Sequence, residues 1–485
     1  MNLKSTFLAF ICLAAINVKA QNKEGFIYAS MQAEHAIELK NQHPLAIDIL
    51  ASNNDLATVY IDPEVAHLLH QKILSHGPGY LYHSSLNEAN ALLNRPNLEA
   101  RNILNYTITE QDYVNQILNS VDGSNIQATI LTLEDYGTRY HTNPIANIAA
   151  DELLLKWQEI INNAGRQNDV SVRLVTHANT PMKSVILTIN GNELATEYVI
   201  IGGHLDSTVL QENKTFAPGA DDNASGIATI TEIARVLLNH NFKPQRTVEI
   251  MAFAAEEIGL VGSNEIATSY KNENKNVKAF VQFDMTAFKG SQDDVYLTTD
   301  RYINTDLNLF LIELMETYNR TGNHQFTYNT TICNYGCSDH YSWATKGYAA
   351  AFPFEASFDD SSPFIHTTTD TYQNIGNTPN HAVKFTKLGL EFVVEAAKQT
   401  ETLGVKDLSS ANQFYVDHKS IRFTISSAKK LKSGIVLNVN GQKVASKQML
   451  NNQDNINLFG LPKGAYILLL ETELGERLTH KFLLK

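Results

Sequence analysis

Apolar segments with strand character alternate with helical segments between residues 128 and 403, and this alternation constrains the fold more than any other feature of the chain. Several strand-like runs are apolar along their whole length, which is typical of strands buried on both faces of a sheet. They begin at Val185, Tyr198, Thr247, Ala279 and Ala349. Helical patterns cover residues 226–238, 307–318 and 382–397. The alternation predicts an α/β domain with a mixed, mostly parallel central sheet and helices on both faces.

Acidic and imidazole side chains follow these apolar runs directly. His204 ends one run, Glu256 and Glu257 follow another, and Asp284 follows a third. Asp222 lies in a turn rich in Gly and Ala, just before a predicted helix. Functional groups of α/β sheets collect at the carboxyl ends of the strands, and carboxylates buried there need a cation to compensate their charge. The pattern predicts a metal-dependent hydrolase site.

The spacing within the clusters indicates different roles for neighbouring residues. His204 and Asp206 are two apart in an extended segment, so both side chains point the same way, and Asp206 can accept the second ring N–H of the histidine. Glu256 and Glu257 are adjacent, so one can bind a metal ion while the other acts as a general base towards water. Two later residues complete the set: Asp284 and His366. Imidazole nitrogen and carboxylate oxygen without thiolate fit zinc or a similar transition metal.

Six stretches of this region resemble the family-28 zinc metallopeptidases, and most closely the secreted bacterial leucine-type aminopeptidases. They are Gly202-Gly-His-Leu-Asp-Ser-Thr, Ala217-Pro-Gly-Ala-Asp-Asp-Asn-Ala-Ser-Gly, Ala254-Ala-Glu-Glu-Ile-Gly-Leu-Val-Gly-Ser, Phe283-Asp-Met-Thr, Cys333-Asn-Tyr-Gly-Cys-Ser-Asp-His and Ile365-His-Thr-Thr-Thr-Asp-Thr. The resemblance covers about residues 128–400. It implies the zinc exopeptidase fold and an aminopeptidase with two zinc ions, which removes apolar first residues from peptides or proteins with a free N-terminus.

The resemblance also implies a role for each matching polar residue. The implied zinc ligands are His204, Asp222, Glu257, Asp284 and His366. Asp222 bridges the two ions, with His204 and Asp284 on one of them and Glu257 and His366 on the other. Glu256 is the implied general base, and the bond from Asp222 to Asn223 is expected to be cis. The family's third acidic residue in this turn is Asn223 here.

A substrate pocket follows from the same resemblance. Cys333 and Cys337 form a disulfide in the family, and their short loop presents Tyr335 to the substrate carbonyl. The implied pocket for the N-terminal side chain consists of Met285, Phe352, Phe354, Phe358 and Ile365. Without the resemblance, these apolar residues would be interpreted as ordinary core. An aromatic position of the family's pocket is Ser361 here, so the pocket can be wider or more polar on that side.

The N-terminal residues predict export and a precursor form. Residues 1–20 have a positive start at Lys4, an apolar core and a cleavage site of small residues ending at Ala20, which is typical of a signal peptide. Residues 21–127 are interpreted as an α+β pro-region that inhibits the enzyme, which makes the chain a zymogen. Within it His67 and His70 are three apart, and we interpret them as exposed or half-packed rather than as a metal pair. After cleavage only Cys333 and Cys337 remain. An even count favours a disulfide, and a two-cysteine metal site is the alternative.

The composition changes after residue 403. Residues 404–485 contain 12 Lys and Arg against 6 Asp and Glu, and their alternating runs between Gly and Asn turns predict a small all-β sandwich. The stretch Leu461-Pro-Lys-Gly-Ala-Tyr-Ile-Leu-Leu with its closing Lys-Phe-Leu-Leu-Lys resembles the C-terminal sorting domains of type IX secretion. The predicted domains are therefore 1–20, 21–127, 128–403 and 404–485. The protein is expected outside the cell or at its surface, exported through the periplasm with help from the secretion machinery.

Charge and hydropathy exclude two classes of partner. The formal net charge of −13 argues against nucleic-acid binding, which needs a basic footprint. No apolar run after the N-terminus is long enough to span a membrane. We expect a monomer.

Three alternatives remain: a carboxypeptidase, for which the pocket lacks a basic residue; a glutaminyl-cyclase-like enzyme, for which the bridging Asp222 is unexpected; and a non-peptidolytic binding domain, for which the filled ligand positions are unexpected.

Overall fold

The structure is a computed structural model, and it describes most of the chain from residue 25 onward. The described ranges are 25–69, 76–93, 106–211, 213–333, 335–399, 413–417, 421–426, 430–438, 442–448, 453–473 and 477–484. They fall into two compact units, Met1–Thr400 and Glu401–Lys485. The predicted signal peptide and the boundary at residues 403 and 404 lie outside the described residues.

The first unit begins with a small α+β layer, as predicted. Its four strands form an antiparallel sheet in the order β2-β3-β1-β4. The elements are β1 (Ile27–Gln32), α1 (Ala33–Gln42), β2 (Ile47–Ser52), β3 (Leu56–Ile61), α2 (Pro63–Ala66), β4 (Tyr80–His83) and α3 (Leu86–Leu93). Alternate residues such as Ala29 and Met31, or Val59 and Ile61, point into one apolar core because side chains alternate across a strand. This layer has a core of its own.

The central sheet of the first unit has six strands in the order β12-β9-β7-β8-β6-β5. The strands of this part are β5 (Val170–Val175), β6 (Ser184–Ile189), β7 (Leu194–His204), β8 (Arg246–Phe253), β9 (Asn276–Gln282), β10 (Val295–Thr298), β11 (Tyr328–Thr331), β12 (Ala350–Ala351) and β13 (Pro353–Phe354). The pairs β7–β8, β7–β9 and β9–β12 are parallel, whereas β6 pairs antiparallel with β5 and β8. The predicted mixed, mostly parallel sheet is confirmed.

Helices cover both faces of this sheet. They are α4 (Gln111–Leu118), α5 (Gly123–Glu134), α6 (Pro144–Asn163), α7 (Gly226–Asn239), α8 (Val261–Asn272), α9 (Thr305–Tyr318), α10 (His340–Thr345) and α11 (Asn380–Ala397). Val199 and Ile201 of β7 pack into the larger core on one face, and Ile200 between them packs into the core on the other. Side chains on both faces of this part of the strand are therefore buried, which explains why residues 199–203 of β7 are all apolar.

Helix α5 runs through the predicted boundary between residues 127 and 128. Val114 and Ile117 of α4 and Ile126 of α5 are fully buried in the core that covers the central sheet. The helix begins at an N-cap, where the carboxylate of Asp122 accepts a hydrogen bond from the Ser124 N–H. The extent of the pro-region stays a prediction, and residues 106–127 pack as part of the sheet domain.

The second unit is an all-β sandwich, as predicted. Its strands are β14 (Gln413–Asp417), β15 (Arg422–Ser426), β16 (Leu431–Asn438), β17 (Lys443–Gln448), β18 (Gln453–Asn457), β19 (Gly464–Thr472) and β20 (Arg477–Leu484). They form sheets in the orders β14-β15-β18 and β17-β16-β19-β20. Phe423 of one sheet and Phe482 of the other have ring centroids 4.5 Å apart, so the two sheets share one core. In neither unit is a described helix both apolar and long enough to cross a bilayer.

Candidate active site

The first candidate ligand lies where β7 ends. His204 is the last residue of that strand and is fully buried. Its Nε2 atom lies 3.0 Å from Asp222 Oδ1 and 3.2 Å from Asp284 Oδ1. Gly203 permits this approach, because a Cβ atom there would lie 2.5 Å from the carbonyl oxygen of Phe283. The glycine therefore lets the ends of β7 and β9 come together and bring two candidate ligands into contact.

Asp222 lies at the centre of the cluster, on the turn Ala220–Ser225 that precedes α7. The peptide bond between Asp222 and Asn223 is cis, as predicted. The backbone N–H groups of Asp221 and Asp222 both donate to the carboxylate of Asp370, at 3.0 and 3.1 Å. The two carboxylate oxygens of Asp222 face different histidines: Oδ1 faces His204, and Oδ2 lies 3.1 Å from His366 Nε2. Asp222 is thus placed to bridge two cations.

The neighbouring glutamates after β8 have different surroundings. Their backbone N–H groups donate to the two oxygens of Asp206, at 3.0 Å from Glu256 and 3.2 Å from Glu257. The carboxylate of Glu257 lies 3.1 Å from His366 Nε2. The Glu256 carboxylate is 1% exposed, and neither oxygen has a hydrogen-bond partner among the residues that the structure describes. Glu257 therefore lies among the candidate ligands, whereas the Glu256 carboxylate has no hydrogen-bond partner among the described residues.

Asp284 follows β9 and is contacted from two directions besides His204. The Ser338 hydroxyl donates to its Oδ2 atom at 2.6 Å. The Nε2 atom of His76 lies 3.0 Å from the same oxygen. His76 comes from the segment that precedes β4, and it is also buried. Sequence reasoning did not include this histidine.

The electrostatics of the cluster follow from burial and close opposite charges. Burial alone lowers the pKa of His204, but the carboxylates of Asp284, Asp206 and Asp222 raise it well above its ordinary value. Burial opposes the ionisation of Asp222, yet its hydrogen bonds to His204 and His366 hold its pKa well below the usual range. Burial raises the pKa of Glu256 well above its ordinary value; His204 lowers it and Glu257 raises it. The surroundings therefore lower the pKa of one carboxylate, Asp222, and raise that of another, Glu256.

The donor atoms present fit a zinc site. Two groups of side chains each bring three donor atoms within 4.8 Å of one another. They are His204 with Asp222 and Glu257, and His76 with Asp222 and Asp284. A buried carboxylate without a hydrogen-bond partner is costly unless a cation or a proton compensates it, and imidazole with carboxylate is a donor set that suits zinc. A third group contains Cys337, but this cysteine is bonded to Cys333 and offers no thiolate.

The predicted pocket residues gather in one apolar cluster. It consists of Met285, Cys333, Tyr335, Cys337, Phe352, Phe354, Phe358 and Ile365. The rings of Phe354 and Phe358 stack at 4.5 Å between centroids. The Tyr335 hydroxyl donates a hydrogen bond to the backbone carbonyl of His76. Ser361 uses its hydroxyl within the loop, as a donor to the carbonyl of Phe358, so it does not add a free donor to the pocket wall.

Comparisons with known proteins agree with this arrangement. Residues 184–390 match the family model described as peptidase family M28, and residues 417–485 match one described as a secretion system C-terminal sorting domain. Leucine aminopeptidase 1 of Fusarium vanettenii is 33% identical over 315 residues, which cover 63% of this chain and 76% of that protein. The chain belongs to peptidase family M28.

Relatives and solved structures extend the M28 match. Leucine aminopeptidase 1 of Metarhizium robertsii is 34% identical over 295 residues, covering 59% of this chain and 72% of that protein. The crystal structure of the LapA aminopeptidase of Legionella pneumophila superimposes with a TM-score of 0.67 at 28% identity, and the match covers 78% of this chain and 99% of that chain. The predicted family, peptide-bond hydrolase and C-terminal sorting domain are confirmed. All five predicted ligands and Glu256 lie within the M28 match.

Sequence reasoning missed two residues of this M28 site. Asp370 stands within one of the six resembling stretches, but its part in holding the turn at Asp222 has no signature beyond the residue type. His76 lies in His76-Gly-Pro-Gly, where the glycines and proline indicate only a turn. His67, interpreted as exposed or half-packed, has its pKa lowered to about 3 by burial and by the charge of Lys214. His70 lies outside the described residues.

Proposed function

We propose that this M28 peptidase is an exported aminopeptidase with two zinc ions, which removes apolar residues from the N-terminus of peptides. The observation that carries the proposal is the position of Asp222 between His204 and His366, at 3.0 and 3.1 Å. Glu256 lies in the same buried region, and its carboxylate has no hydrogen-bond partner among the residues that the structure describes. His204 and Asp284 would hold one ion and Glu257 with His366 the other, with Asp222 shared. The names of the fungal relatives support the same reaction.

Bound zinc would polarise the scissile carbonyl and lower the pKa of the attacking water. In the proposed reaction Glu256 takes a proton from this water and returns it to the leaving amine. A buried carboxylate with a raised pKa suits both steps, since proton transfer is efficient when the pKa of the base lies near the working pH. Tyr335 donates to the carbonyl oxygen as negative charge develops on it.

Two features support cleavage at a free N-terminus. A neutral α-amine would be a nitrogen donor beside the buried carboxylates of Asp222 and Asp284, and a blocked substrate lacks this donor. The pocket beside them is lined by Met285, Phe352 and Phe354, which favours an apolar first side chain. The five pocket positions implied by the family resemblance, Met285, Phe352, Phe354, Phe358 and Ile365, include neither Lys nor Arg, the residue types with which a carboxypeptidase would bind the substrate carboxylate.

The test is a rate panel on aminoacyl p-nitroanilides with the metal counted in the same samples. Leucine, methionine, alanine, glutamate and lysine anilides are compared with their N-acetyl forms. We expect hydrolysis of the free-amine substrates with apolar side chains preferred, no hydrolysis of the acetylated ones, and two zinc ions per chain. Equal rates on acetylated substrates would exclude an aminopeptidase, and one zinc ion per chain would remove the bridging role of Asp222.

The C-terminal unit supports the proposal of export. Residues 417–485 match a secretion system sorting domain, and the resemblance noted above points to type IX secretion. In a bacterium with that system, deletion of residues 405–485 should keep the peptidase inside the cell, as measured by its activity in the medium and in cell fractions. Normal export of the truncated chain would contradict this role.

A further inference from the structure

The segment before β4 reaches into the candidate active site. His76 is 1% exposed, and its Nε2 atom lies 3.0 Å from Asp284 Oδ2. Its ring nitrogen belongs to a group of three donor atoms with Asp222 and Asp284, all within 4.8 Å of one another. An imidazole at this distance from two candidate ligands is placed to bind the same cation. The five ligands expected from the sequence do not include it.

His76 also occupies the place that the proposed function gives to a substrate. Its ring stacks on Phe354, with centroids 5.5 Å apart and planes inclined by 25°, and lies 5.8 Å from Phe352. Both phenylalanines belong to the pocket proposed for the first side chain. The backbone carbonyl of His76 accepts a hydrogen bond from the Tyr335 hydroxyl, the group proposed to face the scissile carbonyl. One residue thus makes three contacts expected of a substrate's first residue.

The backbone around His76 is fitted closely to the catalytic loops. Gly77 has a φ of +63°, and a Cβ atom there would lie 2.2 Å from the carbonyl oxygen of Cys337. Further along, the Tyr82 N–H donates to the carbonyl of Gly259 at 3.0 Å, and the Asn264 side chain donates to the Tyr82 carbonyl at 3.0 Å. Gly259 follows Glu256 and Glu257 in the same loop. These contacts hold residues 76–83 against the site at both ends of this segment.

We propose that His76 is an internal pseudo-substrate and a metal ligand: its imidazole takes the position of a substrate's α-amine, its ring fills the pocket for the first side chain, and its carbonyl faces Tyr335. An internal residue has no free amine, and the imidazole nitrogen supplies the missing donor. Peptides with a free N-terminus are excluded until this segment leaves. The inference rests on the proposed function, and it gives the N-terminal segment a specific inhibitory residue.

The test compares the full-length chain with His76→Ala, Gly77→Ala and His43→Ala. Gly77→Ala keeps the imidazole but displaces it, because the added Cβ atom meets the backbone of Cys337. His43→Ala is the matched control: the same substitution in the same layer, at the half-buried C-cap of α1. Two quantities are measured: the rate of zinc loss to a chelator, and kcat/KM on leucine p-nitroanilide at saturating zinc. Thermal unfolding checks the fold of each variant.

We expect zinc binding to weaken while activity rises. His76→Ala and Gly77→Ala should lose zinc at least about tenfold faster, since a donor has left the ion. Their kcat/KM should rise by about tenfold or more, because a substrate meets only the open fraction of molecules. His43→Ala should change neither. A purely structural histidine would lower activity together with zinc retention, and that result would overturn the proposal, as would unchanged values in both variants.

The outcomes separate this inference from the proposed function. If the variants hydrolyse the anilide no faster than the wild-type chain, and all do so well, the aminopeptidase stands and the pseudo-substrate role fails. If no form hydrolyses free-amine anilides while His76→Ala still loses zinc faster, the proposed function fails and the metal-ligand assignment stands. Cobalt-substituted protein provides an independent signature, since removal of a nitrogen donor should change its visible absorption spectrum.

Discussion

The two sides of Asp222 are built differently. On one side His366 lies 3.1 Å from both Asp222 and Glu257, and all three residues come from the sheet domain. On the other side Asp284 receives the Ser338 hydroxyl at 2.6 Å and also contacts His76 at 3.0 Å. His76 precedes β4, and Tyr82 of this strand donates a hydrogen bond to Gly259 in the loop that carries Glu256 and Glu257. The contacts named for the first side thus join residues of the sheet domain, whereas those of the second side include a residue from the N-terminal layer.

This difference shows how one site can be both assembled and blocked. On the side with His366, the three residues in contact, Asp222, Glu257 and His366, all lie in the sheet domain. The side with Asp284 is in contact with a histidine that removal of the N-terminal layer would take away. In the proposed function, removal of the N-terminal layer would take away the contact of His76 with Asp284 and would leave the contacts of His366 with Asp222 and Glu257 in place. Substitution of the ligand proposed to be shared by both zinc ions, and of ligands proposed for one ion, should reveal the difference between the two sides.

The largest effect is expected at the shared residue. Asp222→Ala should lose both zinc ions and all measurable aminopeptidase activity, because this carboxylate faces both histidines. His366→Ala should lose only the ion on its own side. Metal analysis after gel filtration checks both variants. Retention of one full zinc equivalent by Asp222→Ala would show that the two sides do not share this ligand.

The next effect belongs to a residue on neither side. Glu256→Gln should lower kcat by about 10²- to 10⁴-fold, the usual contribution of a general base. Zinc content should remain at the wild-type value, because Glu256 is proposed as the base and its carboxylate has no hydrogen bond to a candidate ligand among the described residues. Glu273→Gln, on the surface after α8, is the matched control and should have wild-type kcat. Wild-type turnover in Glu256→Gln would remove its proposed role as the base.

Much of this architecture could be predicted because local pattern and burial agree. Residues 199–203 of β7 are apolar because both faces of the central sheet are covered there, and the run stops at His204 where the strand ends. The apolar runs before Glu256 and Asp284 stop for the same reason. Polar residues after buried strands therefore predicted the edge of the sheet that carries the site. The assignment of individual ligands came from the family resemblance.

Spacing alone could not separate residues that adjoin in sequence. Glu256 and Glu257 follow the same strand, and the contact of Glu257 with His366 distinguishes them. Asp221 and Asp222 differ in the same way: Asp221 accepts the Ala287 N–H at 3.0 Å, whereas Asp222 faces the histidines. These partners lie far away in the chain, so no local pattern contains the information. His76 is the extreme case, because its partner Asp284 belongs to another layer of the fold.

The smallest effect concerns two carboxylates that hold backbone rather than metal. Asp206 accepts the N–H groups of Glu256 and Glu257, and its Oδ1 atom lies 3.5 Å from His204 Nδ1. Asp370 accepts the N–H groups of Asp221 and Asp222 in the same manner. Each carboxylate uses both oxygens on successive N–H groups, so each orients one of the turns that carry candidate ligands.

An asparagine at either position keeps one acceptor oxygen. Its amide NH2 group faces the second backbone N–H group and cannot accept a hydrogen bond from it, so one hydrogen bond is lost. We expect Asp206→Asn and Asp370→Asn each to lower kcat/KM and zinc affinity by about 10- to 100-fold, as removal of groups that orient metal ligands usually does. Asp151→Asn, an exposed partner of Lys183, is the control and should change neither. We expect Asp370→Asn to weaken zinc binding on both sides of Asp222, and His366→Ala to weaken it on one side. This result would show that the turn at Asp222 serves both ions. The difference between the two sides would then lie in the ligands that each ion does not share.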